Sequence, residues 1–294
     1  MKRRSTKTWS TPVHDSEKET VPCVLCGGSV FIPKLKCEGF SFVRCKKCGL
    51  VQMNPQPVTE EITARYGTAY GKDYLDYEIE NEANFLLLQK LALKDAGFSV
   101  CLPAAFPPAS FLDVGCATGA LLAYLREHGW RVTGVEISPS ADYAIKTRGL
   151  DIKKQPLEKN KFEKEKFDII HASHLIEHLK DPRSFLTEVH RLLKPQGCVY
   201  ISTPNIAGFQ ACLFGNRWRS AIFDHLYLFS ARTLKKLLKD TGFKVQCVST
   251  WGGLAAGIGS GGAVFKRLKK IIDCLAKFFG FGDVMIIKAK KSAH

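Results

Sequence analysis

Two cysteine pairs carry the most explicit chemistry in the chain. Cys23-Val-Leu-Cys26 and Cys45-Lys-Lys-Cys48 are C-x-x-C pairs separated by eighteen residues, each followed by a glycine, Gly27 and Gly49. Tetrahedral zinc takes four soft ligands, and each tight C-x-x-C turn delivers two sulfurs to one metal. A glycine after the second cysteine lets such a turn close. So short a segment cannot fold on apolar burial, so bound metal would supply its folding free energy. With Cys23, Cys26, Cys45 and Cys48 as ligands no coordination position stays open, and the predicted zinc ribbon is structural. Cys37 lies between the pairs and reads as a spare. The scattered Cys101, Cys116, Cys198, Cys212, Cys247 and Cys274 sit in apolar contexts as small hydrophobes.

The second informative run is Ser110-Phe-Leu-Asp113-Val-Gly115-Cys-Ala-Thr-Gly119-Ala-Leu-Leu. An apolar strand ends in an acid, makes a small-residue turn and enters a helix, which brings backbone amides to the carboxyl edge of a sheet. The next strand, Arg131-Val-Thr-Gly-Val-Glu136, ends in a carboxylate suited to both hydroxyls of a ribose. Glu136 follows Gly115 by 136 − 115 = 21 residues, close to the separation of a ribose-binding acid. A dinucleotide loop would read G-x-G-x-x-G, whereas this register reads Gly115-x-Ala117-x-x-Ala120, and Asp113 is badly placed beside a pyrophosphate. A cofactor without phosphate and with a cationic amino-acid end would welcome that acid. S-adenosylmethionine has this chemistry.

The elements that must hold these groups follow from the pattern. The chain has 294 residues, 45% hydrophobic and 24% charged, enough for a sizeable core and incompatible with a disordered or fibrous chain. Residues 1–20 read as a disordered tail, 21–54 as the ribbon, and 55–109 as a helical connector that covers the acceptor. Residues 110–294 alternate short apolar strands with amphipathic helices, predicting a doubly wound, mainly parallel sheet. Strands are expected at Phe111–Val114, Arg131–Glu136, Phe167–His171, Gly197–Thr203, Phe243–Thr250 and Val284–Ala289. Helices are expected at Asn81–Ala96, Gly119–His128, Ser140–Arg148, Pro182–Leu193 and Ala231–Thr241. Asp181-Pro182 starts a helix, and Lys194-Pro195-Gln196-Gly197 stops one in a turn.

In combination these segments resemble class I S-adenosylmethionine-dependent methyltransferases over about residues 110–250. Leu112-Asp113-Val-Gly115-Cys-Ala-Thr-Gly119 matches the first motif and Val135-Glu136 the acid ending the second strand. Phe167-Asp168 through Glu177-His178-Leu matches the fourth-strand region, and Leu192-Leu-Lys-Pro-Gln-Gly197 through Thr203-Pro204-Asn205 the run into the fifth. The resemblance implies a seven-stranded Rossmann-like sheet, of which six strands can be placed. It implies that Asp113, Gly115, Cys116 and Gly119 line the methionine end of the cofactor and that Glu136 binds its ribose. The adenine falls to the loop after the third strand, at Gln155 or Leu157. The family usually has glycine where this chain has Ala117, which fits if the backbone there keeps a negative φ. The ribbon running into Cys48-Gly-Leu-Val-Gln-Met-Asn-Pro55, then Tyr66 and Tyr70, resembles a bacterial subgroup containing sugar- and polysaccharide-modifying enzymes. The run Thr203-Pro-Asn205, Trp218, His225-Leu, Phe229-Ser230, Thr233-Leu and Gly242-Phe243 is similar to that subgroup and to quinone O-methyltransferases.

Methyl transfer is an in-line displacement, so the protein aligns donor and acceptor and removes a proton where the acceptor requires it. The candidate bases are His171, His174, His178 and His225, with His174, His178 and His225 on the acceptor side. In quinone O-methyltransferases a Glu-x-x-Glu-His run is associated with a divalent cation. His174 stands at its first position here, and the carry-over lapses there. Arg217, Trp218 and Arg219 read either as an anion-binding group or as a solvated loop around a buried tryptophan.

The formal charge is 43 − 28 = +15, which suggests an acidic partner without choosing one. The stretch after Gly252–Gly262 places apolar residues at helical spacing with lysines between, over about 263–281. It reads either as a sheet-packing helix or as a helix on an anionic membrane. The expected partner is a small-molecule acceptor, a sugar nucleotide or a glycan or lipid-linked precursor. The rivals are a ribosomal or transfer RNA, disfavoured by the ribbon's sparse aromatics, and a non-catalytic cofactor-binding module. No signal peptide or spanning stretch is visible, so a reducing cytoplasmic setting, with peripheral contact at the inner face of the membrane under the lipid reading, is expected.

Overall fold

The computed structural model describes residues 17–58, 69–101, 108–252, 276–277 and 279–292, apart from the side chains of 69–72. The predicted tail up to residue 16, Tyr66, the Tyr70 side chain, the loop at 102–107 and residues 253–275 of the glycine-rich and basic stretch lie outside them. Along the chain run β1 (Lys18–Glu19), β2 (Phe31–Lys36), β3 (Ser41–Cys45), β4 (Val51–Met53), β5 (Gln56–Pro57) and the long helix α1 (Ala69–Asp95). There follow β6 (Ser110–Val114), α2 (Ala120–Glu127), β7 (Arg131–Val135), α3 (Ser140–Arg148), β8 (Ile152–Lys153), β9 (Phe167–Ser173) and α4 (Pro182–Leu192). The remainder comprises β10 (Leu193–Pro204), α5 (Phe209–Phe214), β11 (Tyr227–Leu228), α6 (Ala231–Asp240), β12 (Phe243–Trp251) and β13 (Val284–Lys291).

Seven strands form one sheet in the order β12-β13-β10-β9-β6-β7-β8. β10, β9, β6, β7 and β8 are mutually parallel, while β13 runs antiparallel to both β10 and β12. The seventh strand, absent from the sequence pattern, is β8, whose two residues carry no detectable period. β6 lies inside the sheet and is buried at all five positions, Asp113 included, so its apolar residues Phe111, Leu112 and Val114 do not alternate with solvated ones. Its side chains alternate between two cores: Phe111 packs with α2 and α3, Leu112 and Val114 with α4 and α6.

Local chemistry sets the helix ends. Asp181 accepts from the backbone N–H of Arg183 and Ser184 at 3.0 and 2.9 Å, with Pro182 opening α4. α4 then buries Phe185, Leu186, Val189 and Leu192 along one face. Ser230 and Thr233 form a capping box on α6. α4 ends at Leu192, at the predicted stop, and residues 194–197 fall within β10 as an irregularity between Leu193 and Cys198 in its pairing with β9. Gln196 takes a positive φ of 70° there, and a Cβ on Gly197 would sit 2.9 Å from the Lys194 carbonyl.

The cysteine segment is not an appendage. β2, β3 and β4 are continued by β11, which comes from far down the chain, in the order β11-β4-β3-β2. Gln52 pairs with Tyr227 and Val51 with Leu228. The helical connector starts at Ala69, twelve residues earlier than its apolar pattern indicates, because its first turns carry mostly polar side chains.

The glycine turn departs from expectation at Ala117, which adopts a left-handed φ of 48°. An L-residue there costs about 1–2 kcal/mol relative to glycine, partly offset by the greater unfolded-state freedom of glycine, about 0.4–1 kcal/mol. Ala117→Gly is therefore expected to raise stability by up to about 1 kcal/mol in urea unfolding, with unchanged secondary structure; a loss of stability would show that the turn is unstrained.

Candidate functional site

The turn between β6 and α2 closes around the end of β7. Gly115, with φ 75°, and Cys116 donate their N–H groups to the Val135 carbonyl at 2.8 and 3.2 Å. The Ala117 N–H reaches Glu136 Oε2 at 3.0 Å, and the Ser138 N–H reaches Oε1 at 2.8 Å. Glu136 is thus fixed by two backbone donors, yet each oxygen keeps a lone pair and the side chain remains half-buried. A carboxylate in this state can receive two neighbouring hydroxyls. Gly119 starts α2 at φ 74°, and a Cβ there would press on Leu150 and sit 3.1 Å from Ala144 Cβ.

Asp113 sits one strand inward. Its Oδ1 accepts from His171 Nδ1 at 2.8 Å, while its buried Oδ2 has no hydrogen-bond partner. An uncompensated buried carboxylate oxygen is costly, and a cationic N–H ligand would relieve it. Asp113, Glu136 and the glycine turn therefore fit a cationic, phosphate-free nucleoside. His171, a candidate base in the sequence, is 1% exposed and paired to Asp113 within the sheet, so it orients that acid and does not face an acceptor. The Cys116 thiol turns into the core, and burial, then Asp113 and Glu136, push its pKa well up. Of the two adenine candidates, Gln155 is exposed and Leu157 is buried in the core. Sequence reasoning missed Ser138 and Ile137, which directly follow Glu136. It also missed Glu78 on α1, whose position relative to the sheet has no local signal.

The acceptor-side groups converge on one buried acid. Glu177 Oε2 accepts from Thr203 Oγ1 at 2.9 Å, its Oε1 faces His174, and its carbonyl receives the Leu226 and Tyr227 N–H groups. Burial opposes ionisation, but nearby His174, His178 and His225 overcome it and hold the acid near a pKa of about 2. His178 Nδ1 donates to the Asp224 carbonyl and His225 Nδ1 to the Ser220 carbonyl, both at 2.8 Å. A carbonyl can only accept, so each ring keeps its Nε2 lone pair free of this bond. The rings meet edge to face at 4.7 Å. His225 is 6% exposed, and burial, followed by the charge of His178, lowers its pKa to about 4. His178 is half-buried. His174, at a positive φ of 52°, stands at the surface with Nδ1 3.3 Å from Glu177 Oε1. Donor atoms of Glu177, His178 and His225 lie within 4.8 Å of one another, a set able to take a proton or a cation.

Trp218 and Arg219 are committed to the fold. Trp218 Nε1 donates to Asp283 Oδ1 at 2.5 Å, and Arg219 pairs with Oδ2 at 2.8 Å, so Arg219 is not free for an anionic acceptor.

In the cysteine segment the four sulfurs lie within 4.8 Å of one another, Cys23 to Cys48 at 3.4 Å and Cys26 to Cys45 at 3.5 Å. Four sulfurs about 2.3 Å from one tetrahedral centre would be about 3.8 Å apart, so these residues fit such a metal. The turns are closed by Gly27 N–H to the Cys23 carbonyl at 2.7 Å and Gly49 N–H to the Cys45 carbonyl at 2.9 Å. Cys37 is outside the set and approaches the carbonyls of Asn216 and Ala221.

Residues 86–248, more than half of the chain, match the profile of the methyltransferase-domain family. The chain belongs to that family. The ubiquinone biosynthesis O-methyltransferase of Coxiella burnetii is 35% identical over 109 residues, covering 35% of this chain and 46% of that protein. Its counterpart in Caulobacter vibrioides is 28% identical over 152 residues, covering 49% of this chain and 60% of that one. The methyltransferase domain thus spans about half the length of the curated relatives it matches. Among solved structures, a methyltransferase from Archaeoglobus fulgidus superposes with a TM-score of 0.53 at 20% identity, covering 73% of this chain and 99% of that one. A chain of the Haloferax volcanii complex between the Trm112 activator and a methyltransferase gives 0.56 at 16%, covering 76% and 96%. Both confirm the seven-stranded class I fold.

Glu136→Gln replaces one accepting oxygen of the methyltransferase turn by an amide donor, so either the Ala117 or the Ser138 N–H loses its partner. A loss of about 1–2 kcal/mol in urea unfolding is expected. An unchanged midpoint would mean that these two bonds do not organise the turn.

Proposed function

We propose that the protein transfers a methyl group from S-adenosylmethionine to a hydroxyl of a small-molecule acceptor, and that His178 accepts the hydroxyl proton. The observation that carries the reading is the juxtaposition of two differently built acid sites on one sheet edge. Asp113 and Glu136 lie at the ends of β6 and β7 without a cationic side chain bonded to either carboxylate among the described residues. Glu177 lies past β9 among three histidines. The bound cofactor would supply a methyl carbon activated by a sulfonium. Glu136 would receive the ribose hydroxyls, and Asp113 Oδ2 would receive a cationic N–H.

His178 suits the base role because it is reachable and its tautomer is fixed with Nε2 free to take a proton. Glu177 would stabilise the imidazolium so formed. His225 is too deeply buried for contact with an acceptor and serves better as the neutral partner of His178, while His174 marks the solvent edge. A sugar nucleotide or a glycan or lipid-linked precursor, suggested by the ribbon resemblance, presents a hydroxyl. So does a hydroxylated ring like those implied by the relatives' names.

The decisive test is incubation with methyl-labelled S-adenosylmethionine and fractionated extract. Label is expected in a sugar-nucleotide or lipid-extractable small molecule. Label confined to RNA, or no transfer at all, would overturn the reading. In the labelled reaction His178→Gln is expected to lower kcat by about 10²–10⁴-fold while leaving cofactor affinity within about twofold; a normal kcat removes His178 as the base.

We further infer that Cys23, Cys26, Cys45 and Cys48 hold one structural zinc. Metal analysis is expected to give about one zinc per chain. Chelation should expose residues 17–58 to proteolysis and, through the β4–β11 pairing, slow turnover before cofactor affinity changes. Metal-free protein with an intact, protease-resistant amino-terminal segment would contradict this.

A further inference from the structure

The connecting helix α1 carries a buried acid that the roles above leave unused. Glu78 is 8% exposed, and its Oε2 accepts from Ser140 Oγ at 2.5 Å. Ser140 opens α3. Its N–H bonds Ser138 Oγ at 3.3 Å, and the Ser138 N–H bonds Glu136 Oε1 at 2.8 Å. Since Glu136 Oε2 also accepts from Ala117, one run of hydrogen bonds joins the covering helix to the ribose acid and the glycine turn. One helical turn onward, Glu82 Oε1 pairs with Arg148 Nη2 at 2.6 Å, so α1 is attached to both ends of α3.

We propose that Glu78 is part of the cofactor site and couples binding of the cationic cofactor to release of one proton. The inference rests on the reading of that site as an S-adenosylmethionine pocket. Three acids act together here: Asp113, Glu136 and Glu78 each raise the pKa of the buried Cys116 thiol, and the run of hydrogen bonds through Ser138 and Ser140 links the last two. Among the described residues, Asp113 Oδ2 is buried without a hydrogen-bond partner. Among the described residues, the groups facing Glu78 are Glu136 beyond β7, Glu82 on its own helix and the Ser140 hydroxyl on α3. Arg148, the cation on α3 at this contact, is engaged by Glu82. Burial, then repulsion by Glu136 and Glu82, outweighs the Ser140 bond and raises Glu78 to a pKa of about 7. It is therefore partly protonated near neutrality.

A cation entering this site favours the carboxylate. The O–H bond of Glu78 breaks, the proton passes to solvent, and the ligand's positive charge takes its place beside the acid. An opposite charge within about 4–6 Å lowers a carboxyl pKa by about 1–3 units. Affinity should consequently rise with pH until free Glu78 is fully ionised. His171 also touches this region, through Asp113.

Calorimetric titration with S-adenosylmethionine and with S-adenosylhomocysteine, in buffers of different ionisation enthalpy, reads both affinity and proton release. For the wild type, sulfonium affinity is expected to rise about tenfold between about pH 6 and 8, with roughly half a proton released at neutrality. The neutral thioether should show a smaller rise. Glu78→Gln should flatten both responses. Ser140→Ala, which keeps the acid but removes the bond that lowers its pKa, should move the rise to higher pH, and it carries the test should Glu78→Gln not fold. A wild-type affinity independent of pH overturns the proposal. So does a Glu78→Gln protein that keeps the wild-type slope. Failure of both compounds to bind at every pH overturns the cofactor reading, and this inference with it.

Discussion

A carboxylate placed at the carboxyl edge of a parallel sheet must find donors, and in this protein the donors are mostly backbone. Glu136 holds the N–H groups of Ala117 and Ser138, binding the glycine turn to the loop after β7. Each of those bonds is charge-assisted, hence stronger than an ordinary amide bond. Because the acid is satisfied by amides and not by lysine or arginine, its negative potential stays directed at the cleft. Asp113 repeats the arrangement with a histidine as its single donor and leaves one oxygen unmet. The turn, the strand ends and the covering helix are organised around this retained negative charge.

Glu177 does the same work on the other side. Its side chain ties the end of β9 to Thr203 at the end of β10, and its carbonyl anchors the strand that enters the cysteine sheet. That strand begins two residues after His225, so the position of one histidine depends on the pairing of β11 with β4. The cysteine segment is consequently wired to the acceptor side: Cys48 lies three residues before β4, and Met53 N–H reaches the Leu226 carbonyl at 2.8 Å. An element that looks separable in the sequence shares a sheet with the strand that follows His225.

Several features were legible before any coordinates. The short apolar strand β6 with its acid, the acid 21 residues after Gly115 and the Asp181-Pro182 start of α4 are local patterns whose physics is short-range. Others were not. Ala117 looks compatible with an ordinary backbone, yet the turn needs its N–H on Glu136 and forces φ to 48°. Lys194-Pro-Gln-Gly does end α4, but the strand that follows already starts at Leu193, so the break becomes an irregularity inside β10, which no local pattern announces. Trp218 and Arg219 left two readings open, an anion-binding group or a loop around a buried tryptophan, because Asp283, 64 residues beyond Arg219, is invisible to a local window.

The sequence by itself determined the strand–turn–helix–acid unit, the doubly wound sheet and the four-sulfur set, since each depends on residue type at short spacing. Tertiary structure alone decided which histidines matter and how. His171 was drawn into the sheet beside Asp113, His178 and His225 were fixed by the carbonyls of Asp224 and Ser220, and Glu78 was brought from a distant helix onto Ser140. Periodicity encodes which face of an element is buried. It does not encode which partner waits there, because burial and charge pairing are settled only when segments far apart in the chain share one interior.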